Sequence, residues 1–381
     1  MDLFKIVLIS SFALGILVQL YYILVVFSRL AFFKNEQHKP SSFSQNKAVS
    51  VIIAAHNEEK NLRRMLPIML NQNYDDFEVV VINDRSSDGT YDYLNKLKSQ
   101  VNNLKIVTVE RKPEHINGKK FALTMGIKAA KYEYLLFTDA DCVPENEYWV
   151  SSVSEQFSEK KQIILGYSQY QTEEHSLLNF FIRFETFYTA VQYLSLALCG
   201  KPYMGVGRNL AYKKKLFFEQ NGFFKHLVIT GGDDDLFVNH AATAENTTIV
   251  IGKDSKTLSL PKQSWAAWFR QKKRHLSVGK LYKINDKFRL GLLNFSHLLC
   301  WISSILICYF CYCEREITIL CTIGGLMVLR WIAMWVIMYN IKKRLSDELS
   351  LIFLPFLDFL YSIYYLVIGF ATISSKNVKW H

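Results

Sequence analysis

The long polar middle of this 381-residue sequence holds only two cysteines, Cys142 and Cys199. That is too few for a disulfide framework and agrees with a reducing compartment. Glycine (17) and proline (7) are scarce, which excludes collagen-like and low-complexity chains. Neither GxGxxG nor GxxxxGKS or GxxxxGKT occurs, so dinucleotide enzymes and P-loop ATPases lose ground. Acidic residues number 34 against 45 Lys and Arg, a net charge of +11. What is abundant is apolar: half of the residues are hydrophobic and 14% aromatic, which excludes disorder. Basic, aromatic and apolar together indicate a chain that meets a membrane or anionic partners.

Long apolar windows decide for the membrane. Residues 6–27 carry no charge and suffice to cross a hydrocarbon core of about 30 Å at about 1.5 Å per residue. A signal peptide would have a shorter apolar core and a small-residue cleavage site, which Phe27, Ser28 and Arg29 do not resemble. Residues 290–313 and 317–339 form two further spans, separated by Glu314, Arg315 and Glu316. A fourth segment, 349–373, contains Pro355 and Asp358 and reads as a span that is either complete or broken. Within the spans, Arg330 and Asp358 are costly unless paired, and a structural Arg–Asp contact is expected. The five remaining cysteines sit in or beside spans, as small membrane-helix residues do.

Basic residues orient these segments. Arg29, Lys34, Lys39 and Lys47 follow the first span, a cluster from Arg270 to Arg289 precedes the second, and Lys342, Lys343 and Arg344 follow the third. With alternating spans all three clusters fall on one side, which the positive-inside rule makes cytoplasmic. The expected organisation is an N-terminal transmembrane helix (1–30), a cytosolic domain (48–285) with an interfacial helix near 264–283, and a C-terminal membrane region (290–373) of two or three helices. If the last segment crosses, Lys376, Lys379 and His381 lie outside; if it turns back, they stay in the cytosol.

The polar middle alternates strands and helices. Residues 49–54, 77–82, 105–109 and 134–138 read as buried strands, and 58–70, 90–98 and 119–131 as helices between them. This predicts an α/β fold with parallel strands, in which ligands bind beyond the strands' carboxyl ends. Polar residues stand at those ends: His56, Asn57 and Glu58; Asn83, Asp84, Arg85 and Asp88; Asp139 and Asp141. The stretch from Asp84 to Gly89 also has the composition of a turn with a helix cap. Asp139 and Asp141, two residues apart after an apolar strand, are placed to approach one divalent ion.

Six motifs in order, VSVIIAAHNEEKNL, VVVINDRSSDGT, NGKKFAL, FTDADCVP, GGDDDLF and QKKRH, resemble the membrane-bound family 2 glycosyltransferases. That group has a GT-A (Rossmann-like) nucleotide-diphospho-sugar transferase fold and includes the cellulose, hyaluronan and poly-N-acetylglucosamine synthases and the ceramide glucosyltransferases. The resemblance covers roughly residues 49–276. It implies inverting transfer of a sugar from a nucleotide-sugar donor, in particular a UDP-sugar, to a lipid or saccharide acceptor, with a divalent cation (Mg or Mn) and no nucleic acid. Ala54, Asn57, Glu58 and Asp84 would line the nucleoside pocket. Gly118 and Lys119 would meet the diphosphate at a helix start. Asp139 and Asp141 would hold the metal, Asp139 acting partly on the sugar or ribose, and Gln271 and Arg274 would bind the diphosphate. Gly207, Arg208, Asn209 and His275 would face the acceptor.

Two departures matter. Gly232 stands where the family's Glu-Asp pair has its glutamate, and three consecutive aspartates leave the general base open between Asp233 and Asp234. His275 replaces the tryptophan of the family's QxxRW, which argues for a single transfer to a lipid or short acceptor. These departures keep a second reading open, a catalytically degenerate nucleotide-sugar-binding or scaffold protein. A transporter fits poorly, since the few spans show no internal repeat.

Overall fold

The computed structural model describes residues 3–34 and 47–373. Lys39, Lys376, Lys379 and His381, used above for topology, lie outside the described residues. The chain divides into two compact units, one from Lys34 to Arg270 and one made of the chain before and after it.

The middle unit is built on a seven-stranded sheet. Its first half follows the apolar runs: β1 (Val49–Ala55), β2 (Phe77–Asp84), β3 (Leu104–Val109) and β4 (Tyr134–Phe137). These lie in the order β3-β2-β1-β4, all parallel, with helices Glu59–Leu70, Thr90–Lys98 and Gly118–Ala129 as crossovers. β1 and β2 are buried over nearly their full length, as β-branched strands covered on both faces should be. Gly126 marks where the third crossover helix touches the sheet, since a Cβ there would lie 2.4 Å from Ile82 Cδ1.

The chain then leaves this sheet for a second, three-stranded one made of β5 (Cys142–Pro144), β7 (Ser168–Tyr170) and β10 (Thr257–Ser259). β6 (Ile163–Leu165) and β9 (Thr247–Ile249) join the large sheet beside β8 (Leu210–Lys213). Beyond the four parallel strands read from the sequence the large sheet is mixed: β8 runs antiparallel to both β4 and β6. The helix Leu177–Leu198 and the loop after it deliver the chain to the carboxyl end of β4, so β8 can only run back, with Leu210 opposite Phe137. That reversal sets residues 207–209 beside the end of β4.

The other unit holds helices Leu3–Ala31, Ile284–Cys313, Ile317–Arg344 and Leu354–Ile373, the first with a π-helical stretch at Tyr22–Phe27. The first three are long and apolar enough to cross a membrane, and Leu354–Phe370 is a shorter apolar helix. Pro355 falls in the first turn of the last helix, where proline is tolerated, so it does not break it. Phe12, Ile16, Cys300, Ile307, Cys311, Ile323 and Met327 form the buried seam. Gly15 permits the closest approach, since its Cβ would lie 3.0 Å from the Cys300 backbone nitrogen. The expected Arg–Asp contact is present: Arg330 NH1 and NH2 donate to Asp358 Oδ2 and Oδ1 at 2.6 and 3.0 Å.

Candidate active site

Strand ends and one helix start converge in the middle unit. Helix Gly118–Ala129 begins at Asn117, whose side chain accepts from the Lys120 N–H and caps it. From this first turn Lys119 projects its ammonium to 2.9 Å from Asp139 Oδ1 and 3.1 Å from Asp233 Oδ2. Burial alone would lower the Lys119 pKa. The charges of Asp139, Asp233 and Asp234 outweigh it and hold the group well above the ordinary lysine value. A small cavity opens here, lined by Ala54, Lys119, Thr138, Asp139, Gly207, Tyr212, Asp233, Asp234 and three apolar side chains.

The loop from Thr138 to Asp141 passes between the two sheets. A carboxylate oxygen each from Asp139 and Asp141, and the Cys142 sulfur, lie within 4.8 Å of one another. Burial raises the Asp141 pKa, and the neighbouring Asp139 raises it further. Two crowded carboxylates of this kind suit a hard divalent cation, which would relieve both burial and repulsion. Burial also pushes the Cys142 thiol well above its usual value, so it stays protonated and the fitting donors are the two carboxylates. Cys142 was not among the sequence candidates, because nothing in FTDADCVP marks which side chain after the pair turns inward.

On the first two strand ends, Asp84 is buried and closed by Arg85, whose Nε and NH2 lie 2.7 and 2.9 Å from its two oxygens. Gly118 makes room for this pair: a Cβ there would lie 2.5 Å from Arg85 NH2. Asn57 and Arg85 both have positive φ, +57° and +55°, unusual for residues with side chains. Asn57 Oδ1 accepts from the Ser87 N–H at 2.7 Å, which braces the two loops together. Asp88 accepts from the Thr90 and Glu59 N–H groups, the capping duty its composition suggested. Glu58 accepts from Asn61 at 2.6 Å, and its pKa is raised by burial first, then by Asp141 and Asp139.

The three aspartates separate by environment. Asp234 accepts from the Gly207 N–H (2.7 Å) through one oxygen and from the Asp235 N–H (2.8 Å) through the other, as the cap of helix Asp235–Ala241. Both of its oxygens are therefore engaged by backbone. Asp233 carries no such duty and faces Lys119. Gly231 and Gly232, before it, have φ of +83° and +76°. A glutamate at 232 would be strained there, which gives the departure at Gly232 a physical reason.

The acceptor-side expectation for residues 207–209 is corrected in part. Gly207 is small because Asp234 packs on its backbone, at 3.2 Å from where a Cβ would stand. Asn209 is buried in the core: its Nδ2 donates to the Tyr167 and Ser255 carbonyls and its Oδ1 accepts from Trp149 Nε1. No polar atom of its amide faces outward, so it ties the two sheets together instead. Arg208 stacks over Tyr170 at 4.4 Å, and Asp141 and Asp139 add to the forces that hold its guanidinium charged. Gln271, Arg274 and His275 lie on helix Trp265–Val278, which runs across the boundary between the units. On its first turn Trp268 is buried against Phe181, while Trp265 is more than half exposed.

Comparison with known proteins agrees with this geometry. Residues 50–218 match the family described as Glycosyl transferase family 2. The chain is 29% identical over 244 residues to a probable glycosyltransferase, YdaM, of Bacillus subtilis (strain 168), covering 59% of this chain and 54% of that protein. It is 32% identical over 129 residues to WfaP of Escherichia coli, a UDP-Glc:alpha-D-GlcNAc-diphosphoundecaprenol beta-1,3-glucosyltransferase, covering 33% of this chain and 47% of that one. It thus spans about half the length of these two relatives. Among solved structures, the mannosyltransferase PcManGT from Pyrobaculum calidifontis, in complex with GDP-Man and Mn2+, superposes with a TM-score of 0.56. That match, at 18% identity over 89% of this chain and 100% of that one, shows a shared GT-A fold.

Proposed function

We propose that this chain, whose residues 50–218 match the family 2 glycosyltransferases, is a membrane-embedded enzyme that moves a sugar from a nucleoside diphosphate to a lipid or saccharide acceptor with inversion. The observation that carries the reading is the Lys119 ammonium shared between Asp139 and Asp233 in one cavity. A single cation there stands between the carboxylate pair suited to a metal and the carboxylate suited to a base.

The proposed donor is a UDP-sugar, the type named for the Escherichia coli relative. Ala54, Asn57, Glu58 and Asp84 form the nucleoside side. Gly118 and Lys119 offer a helix start and an ammonium to the diphosphate. Asp139 and Asp141 would hold Mg²⁺ or Mn²⁺, which neutralises charge on the departing diphosphate. Asp233 accepts the proton of the acceptor hydroxyl as its oxygen bonds to the anomeric carbon and the bond to the diphosphate breaks. Asp233 is preferred to Asp234 because backbone N–H groups already engage both oxygens of Asp234. Gly207 and Arg208 remain acceptor-side candidates, and for Gln271, Arg274 and His275 the motif resemblance is the support.

The three apolar helices are proposed to cross the membrane, with the transferase domain in the cytosol, where the flanking Lys and Arg residues favour it. The test is direct. The full chain, purified in detergent with Mn²⁺, is incubated with a panel of sugar nucleotides and scored for released nucleoside diphosphate. Release from one donor, stopped by chelator, supports the reading; donor binding without release under every acceptor tried supports the degenerate binding protein instead.

A further inference from the structure

Lysine is among the residues least often fully buried, yet Lys120 has no exposed surface. It stands one residue after Lys119, on the same first helical turn, but about 100° further round the helix axis. Its Nζ donates to the backbone carbonyls of His226 (2.6 Å) and Ile229 (2.9 Å). The Asn117 N–H donates to the carbonyl between them in sequence, that of Leu227, at 2.8 Å. One helix start therefore grips three carbonyls of a single short segment, residues 224–230.

That segment is a strap with few anchors of its own. It begins after Phe223, which is buried in an aromatic cluster with Phe217 and Phe237. Beyond it Phe224 and Val228 are 74% and 73% exposed, and regular structure is limited to one turn at Phe224–His226. Lys225 touches His240 at 2.9 Å. The strap leaves through Gly231 and Gly232, both with positive φ, and the next residue is Asp233. Two such permissive residues restrain Asp233 little by themselves, so the point at which the strap is fixed limits where the chain carrying Asp233 can go.

We propose that Lys120 is a positioning residue for Asp233: it fixes the strap's backbone, so that the carboxylate stays beside Lys119 and faces the cavity. The two adjacent lysines then divide one task, Lys119 meeting the carboxylate and Lys120 holding the chain that carries it. Burial, the larger influence, pulls the Lys120 pKa down to about 8, while Asp233, Asp235 and Asp234 favour its charge. The acidic residues whose chain it holds thus oppose part of that shift. The inference rests on Asp233 being the base.

The experiment uses the full chain in detergent. Amide hydrogen exchange is followed at residues 224–232, beside kcat and donor KM, in the wild type and in Lys120→Met, which keeps the length and removes the donors. Faster exchange confined to the strap is expected, with kcat lowered about tenfold to a hundredfold, since small displacements of a reacting group have effects of that size. Donor KM should stay within about twofold, because the donor side of the site is untouched. Unchanged kcat, unchanged strap exchange, or an equal loss of donor binding overturns the proposal. If Lys120→Met loses protection throughout β1 and β2, Lys120→Arg decides. Its planar head keeps the charge but fits the two carbonyls less well, so the same split should appear, about threefold to tenfold in kcat; wild-type kcat in Lys120→Arg overturns the proposal. If the wild type releases no nucleoside diphosphate, the transferase reading fails, and strap exchange in Lys120→Met still decides whether Lys120 holds the strap.

Discussion

Arg85 closes both carboxylate oxygens of Asp84, with Nε 2.7 Å from Oδ1 and NH2 2.9 Å from Oδ2. A nucleoside that takes the lone pairs Arg85 now holds must displace a neighbour in sequence. Charge-assisted bonds of this kind contribute about 1.5–3 kcal/mol each. Releasing part of that cost should let Arg85→Ala bind nucleoside diphosphate more tightly, by up to about tenfold, and titration calorimetry measures it. Weaker binding in the variant would mean that Arg85 is itself a ligand.

Asp233 and Asp234 should fail in different ways. Asp233→Asn should keep donor binding and lose transfer by at least about a hundredfold, as removal of a general base does. Asp234→Asn keeps one acceptor oxygen but turns its NH2 toward the other of the two N–H donors, Asp235 or Gly207, and should cost about 1–3 kcal/mol in stability. Thermal unfolding and nucleotide release, measured on both variants, separate the two roles.

The acidic pair gives a pH prediction whose sign is fixed. The Asp141 pKa is raised by burial and by Asp139, so the folded chain holds its proton to higher pH than the unfolded chain does. Without cation, the ionised group opposes folding above the raised value, and the penalty fades as pH falls toward the ordinary value near 3.9. Asp141→Asn should thus stabilise the cation-free protein at pH 7, by about 0.5–2 kcal/mol. It should also abolish the rise in melting temperature that Mn²⁺ gives the wild type. A variant less stable than the wild type without cation, or still stabilised by Mn²⁺, would remove Asp141 from the metal site.

The neighbouring lysines should titrate in opposite senses. Lys119 has a raised folded pKa, so its contribution to stability is complete below the unfolded value near 10.4 and is lost as pH rises through the folded one. Lys120 has a folded pKa near 8, below its unfolded value, so the folded chain sheds that proton first and stability rises between about 8 and 10.4. Denaturant midpoints followed from pH 7 to 11 should lose the rise in Lys120→Met and the fall in Lys119→Met.

Much of this was legible in the sequence because it rests on local pattern. The apolar runs that became β1 and β2 are short and rich in β-branched residues, that of β4 is short and apolar, and the residues ending them had to face a ligand or water. The Arg330–Asp358 contact could be expected because charges inside apolar spans need partners. What was not legible depends on distant chain. The direction of β8 is set by the helix and loop before it, and Asn209 reads as an acceptor-loop residue until Trp149, Tyr167 and Ser255 are brought to it. Nothing in NGKKFAL distinguishes Lys120 from a surface lysine beside a functional one. Only the fold shows that Lys119 faces the cavity and Lys120 the strap.

The buried Arg330–Asp358 pair offers the last test. Asp358 accepts from Arg330 twice and from Trp301 Nε1 at 3.0 Å, and His297 Nε2 lies 2.9 Å from it; Arg330 also donates to Gln19 at 3.0 Å. Four helices thus meet in one polar cluster, where removing one partner strands a buried charge. Arg330→Met and Asp358→Leu should each cost about 3–5 kcal/mol. The double variant removes both charges but leaves the Trp301 and His297 donors without their acceptor, a residual cost of about 1–3 kcal/mol. Its loss should therefore be smaller than either single loss, and the double-mutant cycle should show strong coupling between sites that touch. Unfolding midpoints in detergent measure all four corners. Additive losses would show that the two residues act independently and that the cluster is held by its neutral members.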